Sequence, residues 1–112
     1  MIDPRRFIPL TQTTFYILAA LRTGPKHGYA IARAVEEMSE GETRIQVGNL
    51  YVSLRRLLDV GLIERTKGEK SIRKTYRLSA VGATVFGLEI ERIRRMARIG
   101  RTRVAPTATA LG

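Results

Sequence analysis

The chain has 112 residues, of which 20 are Lys or Arg and 10 are Asp or Glu, so its formal net charge is +10. A chain of this length forms one small domain with its own hydrophobic core. It has no cysteine and a single histidine, His27, which excludes disulfides, a thiolate nucleophile and a Cys or His metal site. The sequence contains no run of about 18 apolar residues. We expect a cytoplasmic protein that contacts no membrane and uses no metal or cofactor.

The positive charge is unevenly placed along the chain. The whole excess falls in residues 44–112, and 16 of the 20 basic residues are arginine. Arginine combines a permanent charge with a bidentate reach to phosphate and to the edge of guanine. The charge therefore indicates a polyanionic partner, most simply nucleic acid, with an anionic membrane surface or an acidic protein as the alternatives.

The first half of the chain predicts an N-terminal arm followed by three helices. Apolar residues recur at helical spacing within each helix, and breaks rich in glycine stand where each helix ends. The arm covers residues 1–9 and the helices cover residues 12–23, 27–39 and 46–59, with a short extended piece at 43–45.

The second half predicts a two-stranded hairpin and a long last helix. Two strand-like runs, Leu62 to Thr66 and Arg73 to Leu78, flank a loop of glycine and charged residues that suits an exposed hairpin tip. Ser79 caps a helix over residues 80–99. The basic tail over residues 100–112 shows no periodicity, so we expect it to be disordered.

This order of elements is that of a winged helix-turn-helix domain over residues 10–79. We predict a mainly α-helical fold with a small β-hairpin wing, followed by a C-terminal dimerisation helix. In such a domain the helix over residues 46–59 enters the major groove of DNA, and the wing lies on the adjacent backbone.

The last helix is apolar on two sides, and only one of them can be covered by so short a chain. The other side has the spacing of a coiled-coil seam, so we predict a two-fold dimer formed by residues 80–99. The alternative is that this helix folds entirely over its own core. The first stripe consists of Val81, Val85 and Leu88, and the second of Phe86, Ile90, Ile93 and Ala97.

Four motifs between residues 10 and 82 resemble the PadR family of winged-helix transcriptional regulators. At the entrance to the third helix the family usually has a small hydroxyl residue, a proline, a glycine and a threonine. This chain has Gln46-Val47-Gly48-Asn49 there, so the resemblance carries over the fold but no operator sequence. The four motifs are His27-Gly28-Tyr29, the run from Asn49 to Leu57, the run from Gly61 to Glu64, and the run from Thr75 to Gly82.

Twelve residues are candidates for contact with DNA. The amides of Gln46 and Asn49 suit adenine, and Val52 offers an apolar surface to a thymine methyl group. The resemblance implies that the Tyr51 hydroxyl binds the DNA backbone. The candidates are Lys26, His27 and Tyr29 at the start of the second helix, Gln46, Asn49, Tyr51, Val52, Arg55 and Arg56 in the third helix, and Lys70, Arg73 and Lys74 in the wing.

Several of these candidates have a purely structural alternative. Asn49 could cap the third helix, the Tyr51 ring could pack on the second helix, and His27 could be an ordinary capping or surface residue. The wing charges could form a solvated hairpin tip. We expect the arginines from Arg92 to Arg103 to form a solvated face or a non-specific auxiliary contact rather than to read bases.

We predict a homodimeric, sequence-specific DNA-binding regulator that represses transcription from an inverted-repeat operator on double-stranded DNA. A protein-interaction module without specific DNA binding and a basic RNA-binding protein are the alternatives. With no paired carboxylates at a recognisable spacing, an enzyme is not expected. The resemblance further implies release by a small aromatic or cationic effector at the dimer centre. The residues that would line the dimer interface or this pocket are Phe15, Phe86, Ile90, Ile93, Met96 and Ala97.

Overall fold

The computed structural model describes residues 3–66 and 74–102. The mainly α-helical fold with a small β wing is confirmed, and the helix bounds lie within a residue or so of those predicted. None of the helices in these two ranges is long and apolar enough to cross a membrane. After a short 3-10 helix at Pro4–Phe7, the elements are α1 Gln12–Arg22, β1 Lys26–His27, α2 Gly28–Met38, α3 Val47–Asp59, β2 Ile63–Arg65, β3 Thr75–Leu78 and α4 Ala80–Gly100.

The wing belongs to a sheet of three strands, not the two of the predicted hairpin. β3 lies in the centre, with β1 and β2 antiparallel on either side. Lys26 of β1 pairs with Tyr76 of β3, and Ile63 of β2 pairs with Leu78 of β3. A two-residue strand has no alternating pattern that a sequence could reveal, because its pairing depends on β3 far along the chain. The predicted hairpin tip, with Lys70 and Arg73, lies outside the described residues.

The extended piece predicted at 43–45 pairs with none of the strands that the structure describes, and side-chain hydrogen bonds hold it. The backbone N–H of Thr43 donates to Ser39 Oγ at 2.9 Å, and Gln12 Nε2 donates to Thr43 Oγ1 at 3.0 Å. These bonds hold the connection between α2 and α3 against the start of α1.

The hydrophobic core lies where α1, α2, α3, the sheet and the first half of α4 meet. Leu50, Leu54 and Leu57 point into it from one side of α3, as their spacing predicts, so the opposite side of α3 faces solvent. Gly61 ends α3 with a φ of 81°, the left-handed conformation that favours glycine.

α4 crosses the chain at the start of β2 at very short distance. A Cβ atom on Gly82 would lie 2.0 Å from the Leu62 carbonyl oxygen. Ser79 fixes this crossing, because its hydroxyl accepts from Gly82 N at 2.9 Å and donates to the Gly61 carbonyl at 2.6 Å. The predicted Ser79 cap is thus confirmed, and it joins the start of α4 to the end of α3.

The apolar pattern of α4 resolves differently from the two predicted stripes. Phe86 belongs to the core of the chain, where it stacks on Phe15 at a distance of 5.1 Å between ring centres. Val81, from the first stripe, is exposed instead. Three further exposed apolar residues of α4, Ile93, Met96 and Ile99, lie nearer its C-terminal end.

One carboxylate is buried on α4 and ties the N-terminal segment to it. Glu89 is 1% exposed, and its Oε2 accepts from Leu10 N at 2.7 Å. Arg92 binds the same carboxylate through two nitrogens, with the longer contact at 3.1 Å. Residues 4–10, which include most of the predicted arm, therefore lie against α4 and the core.

Candidate nucleic-acid interface

The exposed side of α3 carries the six DNA-contact candidates predicted for this helix. Gln46 is the N-cap residue of α3, and its side chain makes no capping hydrogen bond. Asn49 lies within the first turn, so the alternative that Asn49 caps the helix is wrong. Val52 is 59% exposed at the centre of this face. The exposed candidates on α3 are Gln46, Asn49, Tyr51, Val52, Arg55 and Arg56.

Tyr51 both packs on α2 and remains open to solvent. Its hydroxyl lies 2.8 Å from the position that a Cβ atom on Gly28 would take, so the glycine makes room for the ring. The Tyr51 residue is still 47% exposed. The two alternatives for this side chain are therefore compatible, because the ring contacts α2 while about half of the residue remains exposed.

The start of α2 holds three of the predicted DNA contacts, Lys26, His27 and Tyr29, in different surroundings. The Lys26 ammonium donates to the Ala20 carbonyl at 2.7 Å and to Thr23 Oγ1 at 2.7 Å, which places it at the C-terminal end of α1. Because this end carries unsatisfied carbonyls, a cation there stabilises the helix, so the Lys26 ammonium already has a structural role within the fold. His27 is the N-cap residue of α2 without a side-chain capping bond, and Tyr29 is exposed.

A groove of about 340 Å³ separates α3 from the wing, and we call it the wing groove. Sequence reasoning missed Arg65 and Tyr76 as members, because only the folded sheet brings them beside α3. Burial raises the pKa of the Tyr76 hydroxyl, so it stays a neutral donor at physiological pH. The lining residues are Tyr51, Arg55, Leu58, Asp59, Arg65, Lys74 and Tyr76.

The wing groove is positively charged and open. Arg55 Nε pairs with Asp59 Oδ1 at 3.6 Å, but both side chains are largely exposed, so this ion pair contributes little to the stability of the fold. Arg65 and Lys74 are also exposed. Within the described residues no group of three or more His, Cys, Asp or Glu could hold a metal ion. Because Arg55, Arg65 and Lys74 outnumber the single acidic lining residue, Asp59, the wing groove suits an anion such as a phosphodiester.

Solved structures share this fold over nearly the whole chain. A transcriptional regulator from Clostridium thermocellum is 22% identical with a TM-score of 0.68, over 94% of this chain and 100% of that one. RosR of H. salinarum, in a complex structure, is 28% identical with a TM-score of 0.70, over 98% of this chain and 100% of that one.

Bacillus subtilis PadR in complex with operator DNA is 22% identical with a TM-score of 0.60. The match covers 88% of this chain and 51% of that protein, so this chain spans about half its length.

The family comparison agrees with the resemblance drawn from the sequence motifs. A comparison with curated proteins found no match. The profile of the "Transcriptional regulator PadR-like family" matches residues 17–88, which is more than half of the chain and includes α2, α3, the wing and the start of α4. This chain therefore belongs to the PadR-like family of transcriptional regulators, which confirms both the resemblance and the prediction that it is not an enzyme.

Proposed function

We propose that this protein is a homodimeric, sequence-specific DNA-binding repressor. The observation that carries the proposal is the solvent-facing side of α3, where Gln46, Asn49 and Val52 expose amides and methyl groups. These are the groups that read adenine and thymine in the major groove. The basic wing groove beside them suits a backbone phosphate.

Dimer formation is supported by the C-terminal half of α4. Ile93, Met96 and Ile99 are exposed, at 48% for Met96 and 69% for Ile99. They recur every three residues and so lie on one side of the helix. A 21-residue helix is about 31 Å long, and its far end extends beyond the core in a chain whose longest dimension is 63 Å. A second copy of α4 would cover this face by two-fold symmetry, and two equivalent α3 helices would read an inverted repeat.

Release by a small molecule is supported by a cavity of about 310 Å³ between α1 and α4. Phe86 and Ile90, two of the predicted pocket residues, line it, and the Arg22 guanidinium lies 5.6 Å from the centre of the Phe86 ring. Arg22 and Arg94 outnumber the single acidic lining residue, Glu91. This charge favours a neutral or anionic aromatic effector over a cationic one.

The proposed readout predicts different results for a base-facing and a phosphate-facing substitution. We expect Asn49→Ala to change the preferred base at one operator position, with a cost of about 1–3 kcal/mol for the original site. Lys74→Ala should weaken all duplexes similarly and reduce the salt dependence of log K by about one unit. The measurement is binding to the DNA upstream of the protein's own gene, and to a base-substituted series, at several salt concentrations.

Three outcomes of that titration contradict the proposal. Equal loss on every sequence from Asn49→Ala would exclude base reading by this side chain. A salt dependence without protection of a defined site would leave only non-specific binding. Absence of duplex binding, with recovery of a partner protein or of RNA instead, would favour one of the two alternative functions.

The proposed dimer predicts that the apparent molecular mass rises with protein concentration. One charged substitution in the dimer interface should abolish this rise. We expect Met96→Glu to give a monomer in sedimentation equilibrium at concentrations where the wild type is a dimer, because the carboxylate would be desolvated in the interface. Met38→Glu is the matched control, since Met38 is also an exposed methionine, at 41%, on a different helix. A wild-type protein that sediments as a monomer at every concentration would contradict the dimer.

A further inference from the structure

A second polar groove lies on the other side of α3 from the wing, and we call it the α1 groove. Its volume is about 330 Å³, close to that of the wing groove. It lies between the start of α1, the end of the α2–α3 connection and α3. The lining residues are Thr11, Thr13, Thr14, Arg44, Ile45, Asn49, Ser53 and Arg56.

The two grooves are lined by different sides of the same helix. Asn49, Ser53 and Arg56 are spaced by four and three residues, so they form one row along α3. Tyr51 and Arg55, in the wing groove, form another row. The exposed residue Val52 lies between the two rows, at the centre of the face proposed to enter the major groove.

The α1 groove is positively charged, with two arginines and no acidic lining residue. Arg44 Nε pairs with Glu36 at 3.6 Å, with side chains 74% and 53% exposed, so solvent screens this pair strongly. A guanidinium has five N–H donors, and one such pair leaves most of them available. The hydroxyls of Thr13 and Ser53 add neutral donors to the same cavity.

We infer that the α1 groove binds a backbone phosphate of the DNA strand opposite the one held by the wing groove. A helix in the major groove, which is about 12 Å wide, has a sugar-phosphate backbone on each side. α3 has a basic groove on each side, and guanidinium and hydroxyl donors are the groups that bind phosphodiester oxygens. This inference rests on the proposed DNA binding, and it adds Thr13, Arg44 and Ser53 to the interface.

Phosphate contacts on both sides of α3 would fix the depth and tilt of the helix in the major groove, although these contacts do not themselves distinguish bases. A phosphate contact on one side alone leaves a helix free to roll about its own axis in the groove. Contacts on both sides remove that freedom, so Asn49 and Val52 would meet the same base pairs in every complex. Arg44 would then contribute to affinity on all duplexes and leave the preferred sequence unchanged.

The test is the salt dependence of DNA binding by Arg44→Ala. We expect affinity to fall about tenfold in 0.1 M salt, on the fragment upstream of the protein's own gene and on an unrelated duplex alike, with the slope of log K against log salt reduced by about 0.9. Arg33→Ala is the matched control, because Arg33 also forms an exposed ion pair with a glutamate of α2 but does not line the groove. It should leave the slope unchanged.

A second measurement locates the phosphate. Single phosphates of the upstream fragment are replaced in turn by neutral methylphosphonates. One replacement should weaken the wild type and have no further effect on Arg44→Ala, since the two changes remove the same contact. Thr13→Val, which removes a hydroxyl at constant shape, should produce a smaller loss that is equal on all sequences.

The outcomes separate this inference from the proposed function. If Lys74→Ala reduces the salt slope while Arg44→Ala does not, the protein binds DNA and the α1 groove holds no phosphate. If Arg44→Ala changes base preference, the groove faces bases and the inference is also wrong. If the wild type fails to bind any duplex at low salt, both the proposed function and this inference are overturned.

Discussion

Arg92→Met should lower the melting temperature by about 10–20 °C at neutral pH and fixed protein concentration. The substitution keeps the aliphatic packing but leaves the Glu89 carboxylate buried, with the N–H of Leu10 as its one remaining partner among residues 3–66 and 74–102. Removing one member of a buried pair is costly because the other charge stays desolvated. Thermal unfolding followed by circular dichroism measures the effect.

The double variant tests the physical reason. Glu89→Leu together with Arg92→Met removes both charges, and we expect most of the lost stability to return, because an apolar pair of similar volume can replace a buried ion pair. If the double variant is less stable than Arg92→Met alone, the buried charge is not the cause.

The pH dependence of the wild type and Arg92→Met should differ in a defined direction. Hydrogen bonds from Arg92 and from Leu10 N hold the pKa of Glu89 below its usual value, against the burial that would raise it. In the wild type the pair therefore stabilises the fold fully above the unfolded-state pKa of about 4.3, and this stability is lost as pH falls through the lower folded-state pKa. Without Arg92, burial raises the pKa of Glu89, so protonation removes the buried negative charge of the variant. The difference in free energy of unfolding between the wild type and Arg92→Met should therefore narrow as the pH falls.

Gly82→Ala should destabilise the protein by about 1–3 kcal/mol or more, against the usual helix preference for alanine. The added Cβ atom would lie 2.0 Å from the Leu62 carbonyl oxygen, which is backbone and cannot rotate away. α4 would have to move off the start of β2. Chemical denaturation measures the free energy of unfolding.

Gly48→Ala is the control for this prediction. Gly48 is also within a helix, but a Cβ atom there meets nothing within 4 Å. Alanine at that position should be neutral or stabilising by up to about 1 kcal/mol. Equal effects of the two substitutions would mean that the close crossing of α4 and β2 does not constrain the fold.

The helices of this protein were predictable because each has a local cause. The spacing of Leu50, Leu54 and Leu57 predicted the buried side of α3, and therefore also the side that faces solvent. Thr11 and Ser79 cap α1 and α4 through their own side chains. Patterns of this kind involve residues within a few positions of one another, and a sequence displays them directly.

The features that sequence reasoning missed depend on segments that are distant along the chain. Leu10 and Glu89 are 79 residues apart, so nothing near Glu89 indicates that its carboxylate is buried. β1 exists only because Tyr76 and Thr75 lie beside it. Arg44 belongs to a groove because the start of α1 approaches α3. The periodic pattern of apolar residues along the sequence does not indicate such long-range contacts.

The hydrogen bonds of Ser79 bear on how the proposed release by a small molecule could work. Its hydrogen bonds to Gly61 and Gly82 join the end of α3 to the start of α4, so the two helices would move as one rigid unit. In a dimer, the angle at which the two α4 helices cross would then set the distance between the two α3 helices. If the proposed function holds, a ligand that altered this angle by a few degrees would move the two α3 helices away from a separation of one turn of DNA. The protein would then lose affinity for its operator without any change in the groups proposed to contact bases.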